Sequence, residues 1–174
     1  MKYMFASDIH GSSLWCGRML EAYKAEKPQK LVLLGDLLYH GPRNPLPDGY
    51  SPKEVYEALN AVASDIVAVR GNCDAEVDQM VLSFPMMADC ALLELGGCTA
   101  YVTHGHLEVP NGAKLVISGH THVRRCEELN GTLYLNPGSV SMPKDGTEHA
   151  YMIYEDGTFL WKTFDEKTFM TKNM

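Results

Sequence analysis

Lys2-Tyr3-Met4-Phe5-Ala6-Ser7-Asp8-Ile9-His10-Gly11-Ser12-Ser13 decides the fold class. Lys2–Ala6 is a short apolar run and reads as a buried strand. It breaks directly into a polar cluster, Asp8-Ile9-His10. Ser12 or Ser13 can then cap a helix carrying Trp15, Met19 and Tyr23 at helical spacing, which Pro28 ends. The pattern repeats. Leu31–Leu34 is a second apolar run and leads into Gly35-Asp36. Ser51-Pro52-Lys53-Glu54 predicts a capping box with proline in the first turn, and Val55, Leu59 and Val62 line one helix face. Ile66–Val69 is the third run. This βαβαβ order predicts a mostly parallel sheet covered by helices.

The second half is richer in strands. Ala88–Leu95, Gly96-Gly97 and Thr99–Thr103 read as a hairpin. Leu115–Ile117 is a buried strand. Val123–Leu129, Asn130-Gly131 and Thr132–Leu135 form a second hairpin, with the strongest short turn signal in the chain. Ala150–Tyr154, Asp156-Gly157 and Thr158–Thr163 form a third. The expected architecture is α/β, a two-sheet αββα sandwich with helices outside, formed by residues 1–174 as a single domain. One stretch resists. Only the nine residues His106–Lys114 separate the Thr99–Thr103 strand and its His-Gly from Leu115. A parallel crossover takes about a dozen residues, usually helical. Either these strands are not parallel neighbours, or the crossover is reduced, or a segment is missing.

Composition sets outer bounds. A chain of 174 residues suits one domain and can build a core without disulfides or structural zinc. With 45% hydrophobic and 21% charged residues it is neither disordered nor a coiled coil. Its formal charge of −7 argues against a broad basic face for nucleic acid. Five cysteines without C-x-x-C spacing fit reduced thiols, hence a cytoplasmic setting. Met1–Ala6 reaches Asp8 too soon for a signal peptide, and no run approaches the ~20 apolar residues that span a bilayer. No membrane partner is expected.

Polar clusters follow five apolar runs: Asp8-Ile9-His10, Gly35-Asp36, Gly71-Asn72-Cys73-Asp74, His104-Gly105-His106 and Gly119-His120-Thr121-His122. Sites in open α/β sheets form beyond the carboxyl ends of strands, so strands running one way would bring all five to one edge. Imidazole and carboxylate together suit Mn, Fe, Zn or Ni, and the absence of a thiolate tetrad disfavours a closed structural zinc site. The donors suffice for two metals sharing one carboxylate. Such a pair stabilises the attacking and leaving oxygens of a displacement at phosphorus.

The ordered series Asp8-x-His10, Gly35-Asp36, Gly71-Asn72, His104-Gly105 and Gly119-His120-Thr121-His122 resembles the calcineurin-like metallophosphoesterases, from Met1 to about Tyr154. His40-Gly41-Pro42-Arg43-Asn44-Pro45, Gly71-Asn72-Cys73-Asp74 and Asn136-Pro137-Gly138-Ser139-Val140 narrow the resemblance to the YfcE-like small bacterial phosphodiesterases. It implies that Asp8, His10 and His122 hold one metal, that Asn72, His104 and His120 hold the other, and that Asp36 bridges them. It also implies a bridging hydroxide as nucleophile and Mn as the foremost ion. Two divalent cations, less two aspartates and a hydroxide, leave a net positive site that attracts a phosphate ester.

In the wider family a histidine follows the motif asparagine and assists the leaving group. Cys73 stands there instead. Its thiol, beside two cations, is expected to have a lowered pKa. His106 is the alternative acid. His40 and Arg43 are candidate substrate contacts, Arg43 because guanidinium binds phosphate in a bidentate manner. His149 reads as structural, and Asn136–Val140 as a turn at the edge of the site. The function expected is hydrolysis of a small phosphodiester. The rivals are a monoesterase of the same fold and a protein-binding scaffold like the small subunit of the retromer coat. A scaffold has no need for seven ligand-type residues at seven motif positions. Redox chemistry at a non-haem metal finds no supporting motif. Exposed hairpin edges leave a homo-oligomer open.

Overall fold

The structure is a computed structural model and describes residues 1–165 and 167–174. Lys2–Ala6 forms β1, Ser13–Glu26 α1, Lys30–Leu33 β2, Pro52–Asn60 α2, Ile66–Ala68 β3 and Glu76–Gln79 the short α3. Cys90–Leu95 (β4) and Cys98–Thr103 (β5) follow, then Leu115–Ile117 (β6), Arg125–Leu129 (β7) and Thr132–Asn136 (β8). Ala150–Glu155 (β9), Thr158–Thr163 (β10) and Thr168–Asn173 (β11) complete the order. One sheet runs β11-β10-β9-β1-β2-β3, the other β4-β5-β6-β8-β7. β1, β2 and β3 are parallel, as are β5, β6 and β8, and the hairpin partners are antiparallel.

The period of two along a strand explains the layers. Met4 and Ala6 of β1 and Leu31 and Leu33 of β2 face α1 and α2, packing with Met19, Leu20, Val55 and Leu59. Phe5 and Val32 point the other way, into a core between the sheets with Val102, Leu115, Ile117, Leu135 and Trp161. Both faces of the first sheet are therefore dry, which is why its central strands read as continuous apolar runs. The α/β two-sheet sandwich expected from the sequence is present. Among the described residues no helix is long and apolar enough to cross a membrane.

Some local expectations change. Ser12 caps α1 as expected, its hydroxyl accepting the Trp15 N–H. Ser51 stands at the N-cap of α2 and Pro52 in its first turn, but no side-chain cap bond forms. The Ser51 N–H, which Glu54 would have to accept in a capping box, already donates to the Gly11 carbonyl. The puzzling connection is a reduced crossover. β5 and β6 are parallel neighbours, joined by residues 104–114 without a helix. α3 and β11 were not expected.

A candidate metal centre at the strand ends

The loops after β1 and β2 stay paired beyond their strands. Asp8 N–H donates to the Gly35 carbonyl at 3.1 Å and His10 N–H to the Asp36 carbonyl at 2.9 Å. Asp8, His10, Asp36, His120 and His122 all have φ between 49° and 66°. A non-glycine residue in this left-handed region is uncommon and strained, and it persists only where its surroundings over-determine it. Five such residues are candidate ligands, and the turns carry their side chains to the same edge of the sheets. Two glycines permit the approach. A Cβ on Gly71 would collide with the Asp36 carboxylate and amide, and one on Gly119 with the Ser7 side chain.

The hydrogen bonds fix how each imidazole presents itself. His10 Nδ1 lies 2.8 Å from the Tyr39 carbonyl, His104 Nδ1 2.6 Å from that of Leu34, and His122 Nδ1 2.7 Å from that of Met142. A carbonyl only accepts, so each Nδ1 carries a proton, and each ring turns Nε2 inward, as a lone pair whenever the ring is neutral. Those lone pairs converge. His10 Nε2 is 3.1 Å from His122 Nε2. His122 Nε2 is 3.3 Å from Asp8 Oδ1, and His10 Nε2 is 3.6 Å from both Asp8 Oδ1 and Asp36 Oδ2. On the other side His104 Nε2 lies 3.4 Å from Asp36 Oδ2, 3.1 Å from Asn72 Oδ1 and 3.3 Å from His120 Nδ1. Asp8 Oδ1 is buried and has no hydrogen-bond partner.

Acceptors facing acceptors in a dry site need positive charge between them. Protons are one source. Burial works against charge on His104, but the Asp36 and Asp8 carboxylates outweigh it and push the imidazole up to about 9. Burial alone would raise Asp8, yet His10 and His122 hold its carboxyl far below the usual range. Divalent cations are the other source, and the donor set fits them: imidazole nitrogens, carboxylate oxygens and an amide oxygen. Asp8, His10 and His122 form one group of compatible atoms, and Asp8, Asp36 and His104 another. Asp36 touches both sides, while its Oδ1 accepts the Cys73 N–H at 2.8 Å.

The anchoring role of several groups was invisible in the sequence. The Asp74 carboxylate accepts N–H bonds from Asp36, Leu37 and Gly71 at 2.7–2.8 Å, tying the β2 and β3 loops together. The 136–141 turn does more than edge the site. Asn136 Nδ2 donates to the Gly119 carbonyl, and the hydroxyls of Ser139 and Ser141 donate to the Asp8 carbonyl. His149 is structural as expected, stacked on Trp15 with ring centroids 3.5 Å apart.

A cleft of about 300 Å³ lies over the centre, lined by His10, Asp36, Asn72, His120 and His122 and rimmed by Arg43 and Lys144. Cys73 also lines it. Without a metal the protein's own groups push its thiol up to about 12, through burial first and then the nearby Asp36 carboxylate, so any lowering would have to come from bound cations. Two expected residues stand back. His106 lies beside His104 and His120, ring centroids 5.4 and 6.2 Å away, and does not line the cleft. His40 packs edge-on against Tyr39 and Tyr50 and does not line it either. Lys144 carried no sequence signal. Its backbone N–H bonds the His122 carbonyl at 3.3 Å, which brings it to the rim. A larger cavity of about 610 Å³ near Tyr101 and Lys114 contains none of these donors, so chemistry rather than size marks the site.

Comparisons with known proteins agree with this geometry. Phosphodiesterase YfcE of Escherichia coli K12 is 48% identical over 162 residues, covering 90% of this chain and 88% of that protein. The solved structure of E. coli YfcE, described as a phosphoesterase, superposes with a TM-score of 0.93 at 42% identity, covering 99% of each chain. A zinc complex of Vps29 from Entamoeba histolytica, 20% identical with a TM-score of 0.67 over 100% of this chain and 98% of that one, shares the fold alone. Residues 1–157 match the calcineurin-like phosphoesterase superfamily domain. The chain therefore belongs to the calcineurin-like phosphoesterase superfamily, a family of metal-dependent hydrolases, and within it resembles YfcE.

Proposed function

We propose that this protein is a dinuclear metal-dependent phosphodiesterase. Asp8, His10 and His122 would hold one divalent ion, Asn72, His104 and His120 the second, and Asp36 both. The pair would supply a bridging hydroxide for in-line attack at phosphorus and neutralise the phosphate charge. Mn is the foremost ion, with Fe, Zn and Ni compatible with the same donors. The observation that carries the reading is the convergence of three inward Nε2 lone pairs on two buried carboxylates, with Asp36 common to both sides.

The chain's own groups would do the rest. The carbonyls of Tyr39, Leu34 and Met142 hold the imidazole tautomers. Arg43 and Lys144 at the rim would attract and orient the anionic substrate. Cys73 lines the cleft and His106 does not, so Cys73 is the nearer group to a departing oxygen. The likeness to YfcE favours a diester over a monoester. The partner would be a small phosphodiester rather than a nucleic-acid duplex or a membrane, in a cytoplasmic setting.

The test is hydrolysis of a chromogenic phosphodiester and its monoester counterpart by metal-stripped protein, with and without Mn²⁺. Diester turnover that appears only with the ion, and exceeds monoester turnover, is expected. Faster monoester turnover would make the protein a monoesterase. No turnover by protein shown to hold Mn²⁺ would overturn the catalytic reading.

A further inference from the structure

A second concavity adjoins the cleft. It encloses about 410 Å³ and is walled by Tyr39, Tyr50 and Tyr56 with Val77 and Val81, and Cys73 lines both spaces. Cys73 is thus the shared wall between the candidate metal centre and an aromatic, apolar trough. Charge separates the two spaces sharply. Arg43 and Lys144 stand on the cleft, whereas no Lys or Arg lines the trough. Its one charged residue, Asp78, has a carboxylate oxygen accepting the Ala75 N–H. Tyr39 and Val77 are substantially exposed, Val77 at 62%.

We infer that this trough is the subsite for the leaving group of the substrate, and that it selects an uncharged aromatic one, an aryl alcohol or a nucleoside without further phosphate. The inference rests on the phosphodiesterase reading for its geometry. With the phosphate over Asp36 and Asn72, an ester oxygen directed past Cys73 would carry its substituent towards the trough, because Cys73 lines both spaces. Tyrosine faces suit a flat ring, which stacks or meets them edge-on. The acid at Asp78 and the lack of a cation disfavour a leaving group that carries a second phosphate. A volume of this size accepts one or two fused rings and leaves a small alkyl group unsupported on most sides. The reaction balances as ordinary hydrolysis. The P–O bond to the leaving alcohol, phenolic or on a ribose, breaks, a P–O bond to the oxygen from water forms, and the leaving oxygen takes up one proton.

Phenylphosphonate and methylphosphonate separate this inference from the catalytic reading, because their P–C bonds are not hydrolysed. Calorimetry on Mn²⁺-loaded protein should find the phenyl compound bound about tenfold or more tightly, from burial of the ring's apolar surface. Val77→Asp places a charge at an exposed position in the trough. It should remove most of the phenyl preference while changing methylphosphonate affinity far less, and Tyr56→Ser should do the same to a smaller degree. Ring-current shifts at the tyrosine resonances of protein loaded with diamagnetic Zn²⁺ should accompany phenylphosphonate alone. Equal affinity for the two ligands, or a phenyl preference untouched by both substitutions, would overturn the subsite even if diester turnover is vigorous. A phenyl preference that follows the substitutions would uphold it even if turnover fails. Loss of a dimer on Val77→Asp, with ligand preference intact, would assign the trough to a second copy of the chain instead.

Discussion

The carboxylate of Asp74 holds the main chain of Asp36, its Oδ2 accepting the Asp36 N–H at 2.8 Å. The same oxygen accepts the Gly71 N–H, and Oδ1 accepts that of Leu37. One buried side chain therefore fixes the loop that carries the shared ligand and the loop that carries Asn72. Asp36 sits at φ 56°, a conformation it would leave if released.

Asp74→Asn should accordingly weaken the metal centre without unfolding the chain. The amide keeps one acceptor but turns an NH₂ group towards a backbone donor. We expect about a tenfold to hundredfold loss of Mn²⁺ affinity, the usual scale for groups that orient ligands. Asp74→Ala strands three buried N–H groups, at about 1–3 kcal/mol each, and should also lower the melting temperature by several degrees. Equilibrium dialysis with metal analysis, beside circular dichroism, checks both. Wild-type metal content and rate in Asp74→Asn would remove its positioning role.

Asp36 and Cys73 should separate ligand from helper. Asp36 meets His10 and His104 from one oxygen, so Asp36→Ala should abolish turnover and sharply reduce bound metal. Cys73→Ala keeps every proposed ligand and should retain a measurable fraction of turnover, with the loss greatest for poor leaving groups. If both variants lost activity equally and both kept metal, Cys73 would be central to the chemistry.

Protonation of His104 sets a pH signature for the metal-stripped protein. Its pKa in the folded chain, about 9, lies above the unfolded value of 6.5, so folding is favoured by this proton below pH 6.5. That contribution, on the order of 1–3 kcal/mol, is lost as pH rises through 9. The stripped protein should melt several degrees lower at pH 9 than at pH 6.5. Mn²⁺ replaces the proton as the positive charge between the acceptors, so the loaded protein should show a much flatter profile over the same range. Calorimetric melting of both forms decides. Parallel profiles would mean that the proton and the ion do not compete for one place.

The five polar clusters were legible because each follows an apolar strand, and strand ends are visible as breaks in hydropathy; which seven residues in them serve as candidate ligands came from the family resemblance. The parallel order then places those breaks together. What the sequence hid depends on contacts between distant loops. Asp74 looks like any turn aspartate until two loops bring three amides to it. Lys144 is an exposed loop lysine whose position follows from a backbone bond to His122. His106 and His40 carry the right chemistry, but His106 packs against His104, His40 packs against Tyr39, and neither lines the cleft. The strand Thr168–Asn173 is an edge, half polar, and has no apolar run to announce it.

Arg43 and Lys144 offer the cleanest separation of binding from chemistry. Both stand on the rim, and neither approaches the candidate ligands closely enough to form an ion pair with them among the described residues. A loop-anchoring salt bridge, the plain alternative for Arg43, is likewise absent among the described residues. Its guanidinium is thus uncommitted and available to a phosphate oxygen. Arg43→Ala should raise KM about threefold to tenfold and change kcat little, because an exposed cation contributes on the order of 1 kcal/mol to an anionic ligand. Lys144→Ala should raise KM less, since ammonium offers a point charge rather than a paired donor fork. Both effects should shrink as salt rises from 0.05 to about 0.5 M, where screening shortens the reach of surface charge. Steady-state kinetics on the diester at two salt concentrations provide the measurement. A fall in kcat with KM unchanged would instead place Arg43 against the reacting phosphorus.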